Sequence, residues 1–95
     1  MNLGQERAEI LALQALAFIA SDEELLSRFI ALTGMKVDGL KAAAAETGTL
    51  IAGMDFIMFD DNLIVRFAEF VNLGPDIAGQ IRYALAGPEL SLIHI

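Results

Sequence analysis

The chain of 95 residues contains no cysteine and no tryptophan, and it has only one histidine and two prolines. Without cysteine it can form no disulfide, no thiol nucleophile and no zinc–thiolate site. The histidine, His94, follows a glycine–proline pair near the end of the chain, where we expect no rigid setting for a catalytic imidazole. These absences remove several of the residue types that carry enzymatic chemistry.

Basic residues are also scarce, with six against thirteen acidic residues and a formal net charge of -7. They stand singly along the chain, as Arg7, Arg28, Lys36, Lys41, Arg66 and Arg82. Nucleic-acid binding depends mainly on clustered lysine and arginine. We therefore expect neither nucleic acid nor an anionic membrane as a partner.

No apolar run is long enough to cross a bilayer. The longest, Ile10 to Ala20, includes Gln14 and would rise about 16 Å as a helix, against about 30 Å of hydrocarbon. Glu6 and Glu9 stand where a secretory signal requires basic residues. We therefore expect a cytoplasmic protein without a membrane anchor.

Hydrophobic residues are abundant. They make up 56% of the chain, above the usual level of about 45 to 50%. A domain of this size has a small interior for its surface, so part of this surplus should lie outside and be covered by another molecule. We therefore expect a homo-oligomer, specifically a dimer, an unidentified protein partner, or both.

Glycine, proline and capping residues divide the chain into about six helical segments, and no segment shows the alternation of a strand. The sequence therefore predicts an all-α fold, a compact bundle of six short helices, with a central first helix from Gln5 to Ala20. Later helix starts are expected at a Ser21–Glu24 capping box, Asp38, Thr49, Asp60 and Gly74-Pro75-Asp76, and helix ends at Gly34 in a Schellman motif, Gly48, Asn72 and Gly87-Pro88.

Residues 10–47 and 48–85 match without a gap at caps and apolar positions. The matched pairs include Phe18 and Phe56, Ile19 and Ile57, Asp22 and Asp60, Leu25 and Leu63, Arg28 and Arg66, Phe29 and Phe67, Gly34 and Asn72, and Asp38 and Asp76. The apolar positions of the third helix in each half do not coincide. If the match reflects an internal duplication, it predicts two three-helix units related by a pseudo-twofold axis. Alternatively, the match arises by chance, because the chain is rich in alanine and leucine.

The chain resembles a bacterial, alphaproteobacterial-type family of small helical proteins, domain of unknown function 3572, in the stretches LALQALAFIASDEELLSRFIALTG, VDGLKAAAA, MDFIMFDDNLIVRFAEF and GPDIAGQIRYALAG. The resemblance covers Glu9 to Gly87. It implies a single-domain, all-helical cytoplasmic protein with no assigned activity, cofactor or catalytic residue. Residues 88–95, PELSLIHI, depart from the pattern and form an apolar tail that is either variable or an expression remnant.

Three charged residues are candidate contacts for a ligand or partner. Arg28 and Arg66 could converge across the pseudo-twofold axis to bind a carboxylate or phosphate. Alternatively, Arg28 pairs with Glu24 and Arg66 with Glu69, each within one helical turn. Asp55 stands among apolar residues, and it is either buried, with a partner or a raised pKa, or exposed on one side of its helix.

The acidic clusters Asp22-Glu23-Glu24 and Asp60-Asp61 lie at predicted helix starts, where capping explains them. Neither has the spaced ligands of a calcium loop. The sequence also has no phosphate-binding glycine loop and no recognisable Ser-His-Asp set. We therefore expect no metal site, no cofactor and no catalytic residue.

Two functions fit these observations. The first is a small non-catalytic protein-interaction module that self-associates through an apolar groove or helix face. The alternative is a small-ligand-binding protein or enzyme with a pocket between the two units, in which Arg28, Arg66 and Asp55 supply the polar groups. The solution mass and the placement of these three side chains separate the two.

Overall fold

Six α-helices form the chain in the computed structural model, which describes the backbone of residues 3–93 and the side chains of residues 3–86. They are α1 (Gln5–Ala20), α2 (Glu23–Thr33), α3 (Val37–Ala43), α4 (Thr47–Met58), α5 (Asp61–Val71) and α6 (Ile77–Ile93). Residues 3–93 contain no strand. The predicted all-α class and the predicted bounds of the first helix are confirmed.

The first helix is central to the packing. It packs most extensively against α4 and α6, and it also contacts α2 and α5. Its buried residues are Ala8, Leu11, Ala12, Ala15, Leu16, Phe18 and Ile19. A helix that is apolar on several sides needs several neighbours to cover it, and α1 has four.

One hydrophobic core draws residues from all six helices. Its largest fully buried side chains are Phe29, Phe67, Ile19, Met54, Ile57 and Ile81. Burying a side chain of this size contributes about 1.5 to 3 kcal/mol. These six residues come from α1, α2, α4, α5 and α6, whereas α3 contributes only Leu40 to the buried core.

The second helix begins with an aspartate cap. Asp22 accepts hydrogen bonds from the amides of Glu24 and Leu25 at 2.9 and 3.1 Å. The predicted capping box at Ser21 is therefore wrong, since the Ser21 hydroxyl donates to the Phe18 carbonyl at 2.7 Å. A carboxylate is well suited to the positive end of a helix, and Asp22 takes that place.

The fifth helix begins in the same way. Asp60 has an extended backbone and accepts a hydrogen bond from the Asn62 amide at 2.9 Å. The predicted helix start at Asp60 is confirmed. Asp60 is the position that matches Asp22 in the first half of the chain, so the two halves share this cap.

The second helix ends at Gly34, which has a φ of 76° in the left-handed region. Its amide donates to the Ile30 carbonyl at 2.8 Å, which is the simpler left-handed cap. The predicted end at Gly34 is confirmed, but the predicted Schellman motif there is wrong. The Met35 amide, which that motif requires, donates instead to Oγ1 of Thr33 at 3.3 Å.

The fifth helix ends at Asn72 with a φ of 59°, as predicted. Here the full Schellman pattern is present: the Asn72 amide donates to Glu69 at 3.1 Å and the Leu73 amide to Ala68 at 2.9 Å. Asparagine tolerates the left-handed conformation better than most residues. The matched positions Gly34 and Asn72 therefore end their helices with the same backbone turn and different hydrogen bonds.

Three predicted boundaries around α3 and α4 are wrong. Asp38 lies inside the first turn of α3 rather than before it, and α3 ends at Ala43, well before Gly48. Thr49 is buried within the first turn of α4, which begins at Thr47. Neither helix has a side-chain cap, so no capping residue marked these starts in the sequence.

The sixth helix begins directly after Gly74-Pro75-Asp76, in line with the prediction, and runs to Ile93. It passes through Gly87-Pro88, so the predicted helix end at that pair is wrong. Proline removes one amide donor, but its fixed φ near -65° is itself helical, and the helical backbone can continue through it.

Candidate functional site

The two halves of the chain meet through a reciprocal pair of aromatic contacts. The ring of Phe18 on α1 lies 5.9 Å from that of Phe67 on α5, and the ring of Phe56 on α4 lies 5.4 Å from that of Phe29 on α2. Phe18 matches Phe56 in sequence, and Phe67 matches Phe29. The first contact therefore becomes the second when the halves are exchanged, as twofold symmetry requires.

The two candidate arginines make different ion pairs. Arg28 pairs with Glu24 of its own helix at 3.4 Å, the pairing that its spacing predicts. Arg66 pairs with Asp22 of the other half at 3.2 Å. The position that matches Glu24 is Asn62, so Arg66 has no carboxylate one turn before it and reaches across to the other half.

Asp22 connects the two halves of the chain. One of its carboxylate oxygens caps α2, and the other accepts from Arg66, whose guanidinium lies 5.6 Å from the centre of the Phe18 ring. The Leu25 amide, followed by Arg66, lowers the pKa of the Asp22 carboxyl, and partial desolvation opposes them. The predicted pairing of Arg66 with Glu69 is therefore wrong, because Arg66 pairs with Asp22.

Asp55, the third candidate, pairs with Arg82 of α6 through a hydrogen bond of 2.7 Å. Its side chain is 56% exposed, so of the two predicted settings the exposed one is confirmed. Arg28, Arg66 and Asp55 thus lie in three separate ion pairs. A role for them in binding stays a prediction.

An apolar surface groove of about 530 Å³ lies between α1, α2 and α3. Its lining residues are Leu13, Leu16, Ala17, Ala20, Leu26, Val37, Asp38, Leu40, Lys41 and Ala44. Two of them are charged, and three are alanines that allow a neighbouring chain to approach closely. None of the three candidate charged residues lines this groove.

The groove is open because the third helices of the two halves differ. The buried anchors of α6 are Ile77, Ile81 and Leu85, and the matching positions in the first half are Gly39, Ala43 and Thr47. Helix α3 is only seven residues long, and Leu40 is its one buried residue. It therefore has too few apolar anchors to close over α1.

The matching face of α4 is bordered by α6. Asp55 on that face pairs with an arginine of α6, and the Met58 Cε lies 4.0 Å from the position that a Cβ would take on Gly79 of α6. The residues of α1 that match Asp55 and Met58 are Ala17 and Ala20. Both line the groove. This face is therefore open on α1, whereas the equivalent face of α4 is bordered by a helix.

The predictions from sequence did not include the groove residues. The signal that could have found them was the failure of the repeat in its third helix, together with the alanines of VDGLKAAAA. His94 lies outside the described residues. Within the described part of the chain, no group of three or more His, Cys, Asp or Glu side chains could hold a metal ion.

The fold and the groove together define a small all-helical protein with two similar helix pairs and an apolar groove beside one of them. A family model described as "Protein of unknown function (DUF3572)" matches residues 5–88, and the chain belongs to that family. The resemblance seen in the sequence is thereby confirmed. Searches of curated proteins and of solved structures found no match. No helix in the described residues is both long and apolar enough to span a bilayer.

Proposed function

We propose that the protein is a small non-catalytic interaction module that binds a helix of a protein partner in the groove between α1, α2 and α3. The observation that carries this proposal is the open face of α1. Its counterpart on α4 is bordered by α6, and the groove is an apolar surface of the kind that binds a helix.

The exposure of the groove residues supports this function. Leu13 and Val37, from two different helices of the groove, are 44% and 59% exposed. Covering apolar surface is favourable by about 25 cal/mol per Å². Alanines at positions 17, 20 and 44 leave space for the side chains of an incoming helix.

The ligand-binding or enzymatic alternative has less support. It requires polar groups that converge on a pocket between the two units, and it relies on Arg28, Arg66 and Asp55. Each of these residues is already engaged in an ion pair within the chain. The groove, moreover, is formed by helices of the first unit alone.

Site-specific photo-crosslinking in cells tests the proposal. A photoreactive amino acid replaces Val37 in the groove, and Ala31, an exposed residue of α2 outside the groove, in the matched control. We expect protein adducts from position 37, their loss when Ala17→Arg is added, and none from position 31. A small molecule bound to the purified chain in native mass spectrometry, with no adduct at position 37, would support the ligand-binding alternative instead.

We also place the module in the cytoplasm, the location that the family resemblance implies. Its groove would then be available to cytoplasmic proteins. Fractionation of cells that produce the tagged chain checks this location, and recovery of the chain from any other compartment contradicts it.

A further inference from the structure

We infer that the groove binds a second copy of this chain, and that the two α1 helices pack antiparallel across a twofold axis. This inference rests on the proposed function and names its partner. It is drawn from the shape of the exposed face of α1 and from four charged residues at the two ends of the contact.

The exposed face of α1 has a bulky end and a small end. Ile10 and Leu13 are 52% and 44% exposed, and Ala17 and Ala20 are exposed further along. The spacing of these four residues places them on one stripe of the helix. Ala17 and Ala20 lie in the groove, whereas Ile10 lies beyond it.

Such a stripe is complementary to itself when it is reversed. In an antiparallel pair centred on Ala15, Ile10 of one copy lies opposite Ala20 of the other, and Leu13 lies opposite Ala17. The twofold axis repeats both contacts, as an isologous interface requires. The bulky end of each copy then fills the groove of its partner. A parallel pair would oppose bulky residues to bulky ones and leave both grooves empty.

The charges favour the same arrangement. Glu6 and Arg7 lie one turn before Ile10 on α1, and Asp38 and Lys41 line the groove. All four are exposed, and within the described part of the chain none of them has an ion-pair partner. Antiparallel packing brings the first turn of one α1 towards the groove of the other copy. Glu6 can then face Lys41, and Arg7 can face Asp38.

Analytical ultracentrifugation of the purified full chain over a wide concentration range tests the contact. We expect the mass of the wild-type chain to rise from monomer to dimer with concentration. Ala17→Arg places a long charged side chain in the groove and should keep the chain monomeric, whereas Ala31→Arg on α2 should behave as the wild type does. Circular dichroism checks that both variants fold. A wild-type chain that stays monomeric, or an Ala17→Arg variant that still dimerises, overturns the inference.

A charge exchange tests the register. Glu6→Lys should weaken dimerisation by about two- to fivefold, since an exposed ion pair is replaced by a repulsion. Lys41→Glu alone should do the same, and the double variant should recover the wild-type association. If the double variant is weaker than either single one, the antiparallel register is wrong.

The two proposals can fail separately. A chain that is monomeric at every concentration but forms adducts with another protein from position 37 contradicts the second-copy partner and leaves the interaction module standing. A monomeric chain that forms no adduct from position 37 contradicts both.

Discussion

The two three-helix units use the same elements up to their third helix. Each begins its second helix at an aspartate, buries a phenylalanine completely about two turns later, and ends that helix at a left-handed residue. The third helices then diverge. Helix α6 packs against α1, α4 and α5, while α3 makes far less extensive contacts and leaves a groove beside α1.

This difference shows which residues decide whether such a unit closes. Caps and buried aromatics are enough to place two helices, and both units have them. Closure depends on large apolar residues at every fourth position of the third helix, which α6 has at Ile77, Ile81 and Leu85. The first unit lacks them, and we attribute its open surface to that lack.

The largest effects are expected where the two units are most alike. Phe29→Ala and Phe67→Ala should each lower the free energy of unfolding by about 3 to 5 kcal/mol, because both rings are fully buried and each contacts a ring of the other unit. Urea unfolding measures both losses, with the exposed Phe59→Ala as the control. If only one of the two variants is strongly destabilised, the two matching aromatic contacts do not contribute equally to the free energy of unfolding.

The third helices should differ in the next largest effect. Ile81→Ala should lower the free energy of unfolding by about 2 to 5 kcal/mol, since Ile81 is fully buried between packed helices. Leu40→Ala should cost less, because α3 can shift into the open groove. The same unfolding experiment compares the two, and an equal or larger loss for Leu40→Ala would mean that α3 is held as firmly as α6.

Replacing the left-handed residues should have an intermediate effect. Gly34→Ala should cost about 1 to 2 kcal/mol, because the φ of 76° is unfavourable for alanine. No atom lies within 4 Å of the added Cβ, so the backbone conformation alone causes this loss. Asn72→Ala should cost less, since asparagine already bears part of the same penalty. Thermal unfolding of both variants checks the order, and no loss for Gly34→Ala would refute it.

The two aspartate caps should differ in their effect at neutral pH. Asp60→Asn removes only the charge of the cap, because the amide oxygen of asparagine can still accept the Asn62 hydrogen bond, whereas Asp22→Asn also weakens the pairing with Arg66 between the units. The loss of stability at pH 7 should therefore be larger for Asp22→Asn. Unfolding of the two variants under the same conditions measures it, and equal losses would show that the Arg66 contact adds nothing.

Asp22 should also contribute to the loss of stability in acid. Its pKa is lower in the folded chain than its ordinary value, chiefly because of the Leu25 amide and Arg66. Its contribution is therefore complete above the ordinary carboxyl pKa of about 4 and is lost as the pH falls through the lower folded value. In Asp22→Asn this part of the acid destabilisation should disappear. An unchanged pH profile would contradict the lowered pKa.

The smallest effect is expected at the exposed arginine pair. Arg28→Ala should lower the free energy of unfolding by about 0.3 to 0.5 kcal/mol, as for other exposed pairs within one helix. Arg66→Ala should cost more, because it removes a contact between the units and the packing on Phe18. Denaturation midpoints of the two variants show the order, and the reverse order would contradict this difference.

Features set by neighbouring residues could be predicted from the sequence. The bounds of α1, the cap at Asp60 and the helix ends at Gly34 and Asn72 depend on local propensity and backbone conformation. The helix starts near Asp38 and Thr49 were misplaced because neither α3 nor α4 has a capping side chain.

Contacts between distant segments could not be predicted. The pairing of Arg66 with Asp22 joins residues far apart in the chain and depends on how the two units pack. The groove is a property of three helices at once, and its cause lies in residues that α3 lacks. The mismatch of the third helices was visible in the sequence, but its structural consequence was not.

The central claim, that the first unit presents a binding face whose counterpart on the second unit is bordered by α6, can be tested by NMR. A dilution series of the full chain should shift the backbone amide signals of residues 10–20 and 37–44 and leave those of residues 48–58 on α4 in place. Shifts confined to α4 and α6, or a dimer whose formation leaves residues 10–20 unchanged, would contradict the claim.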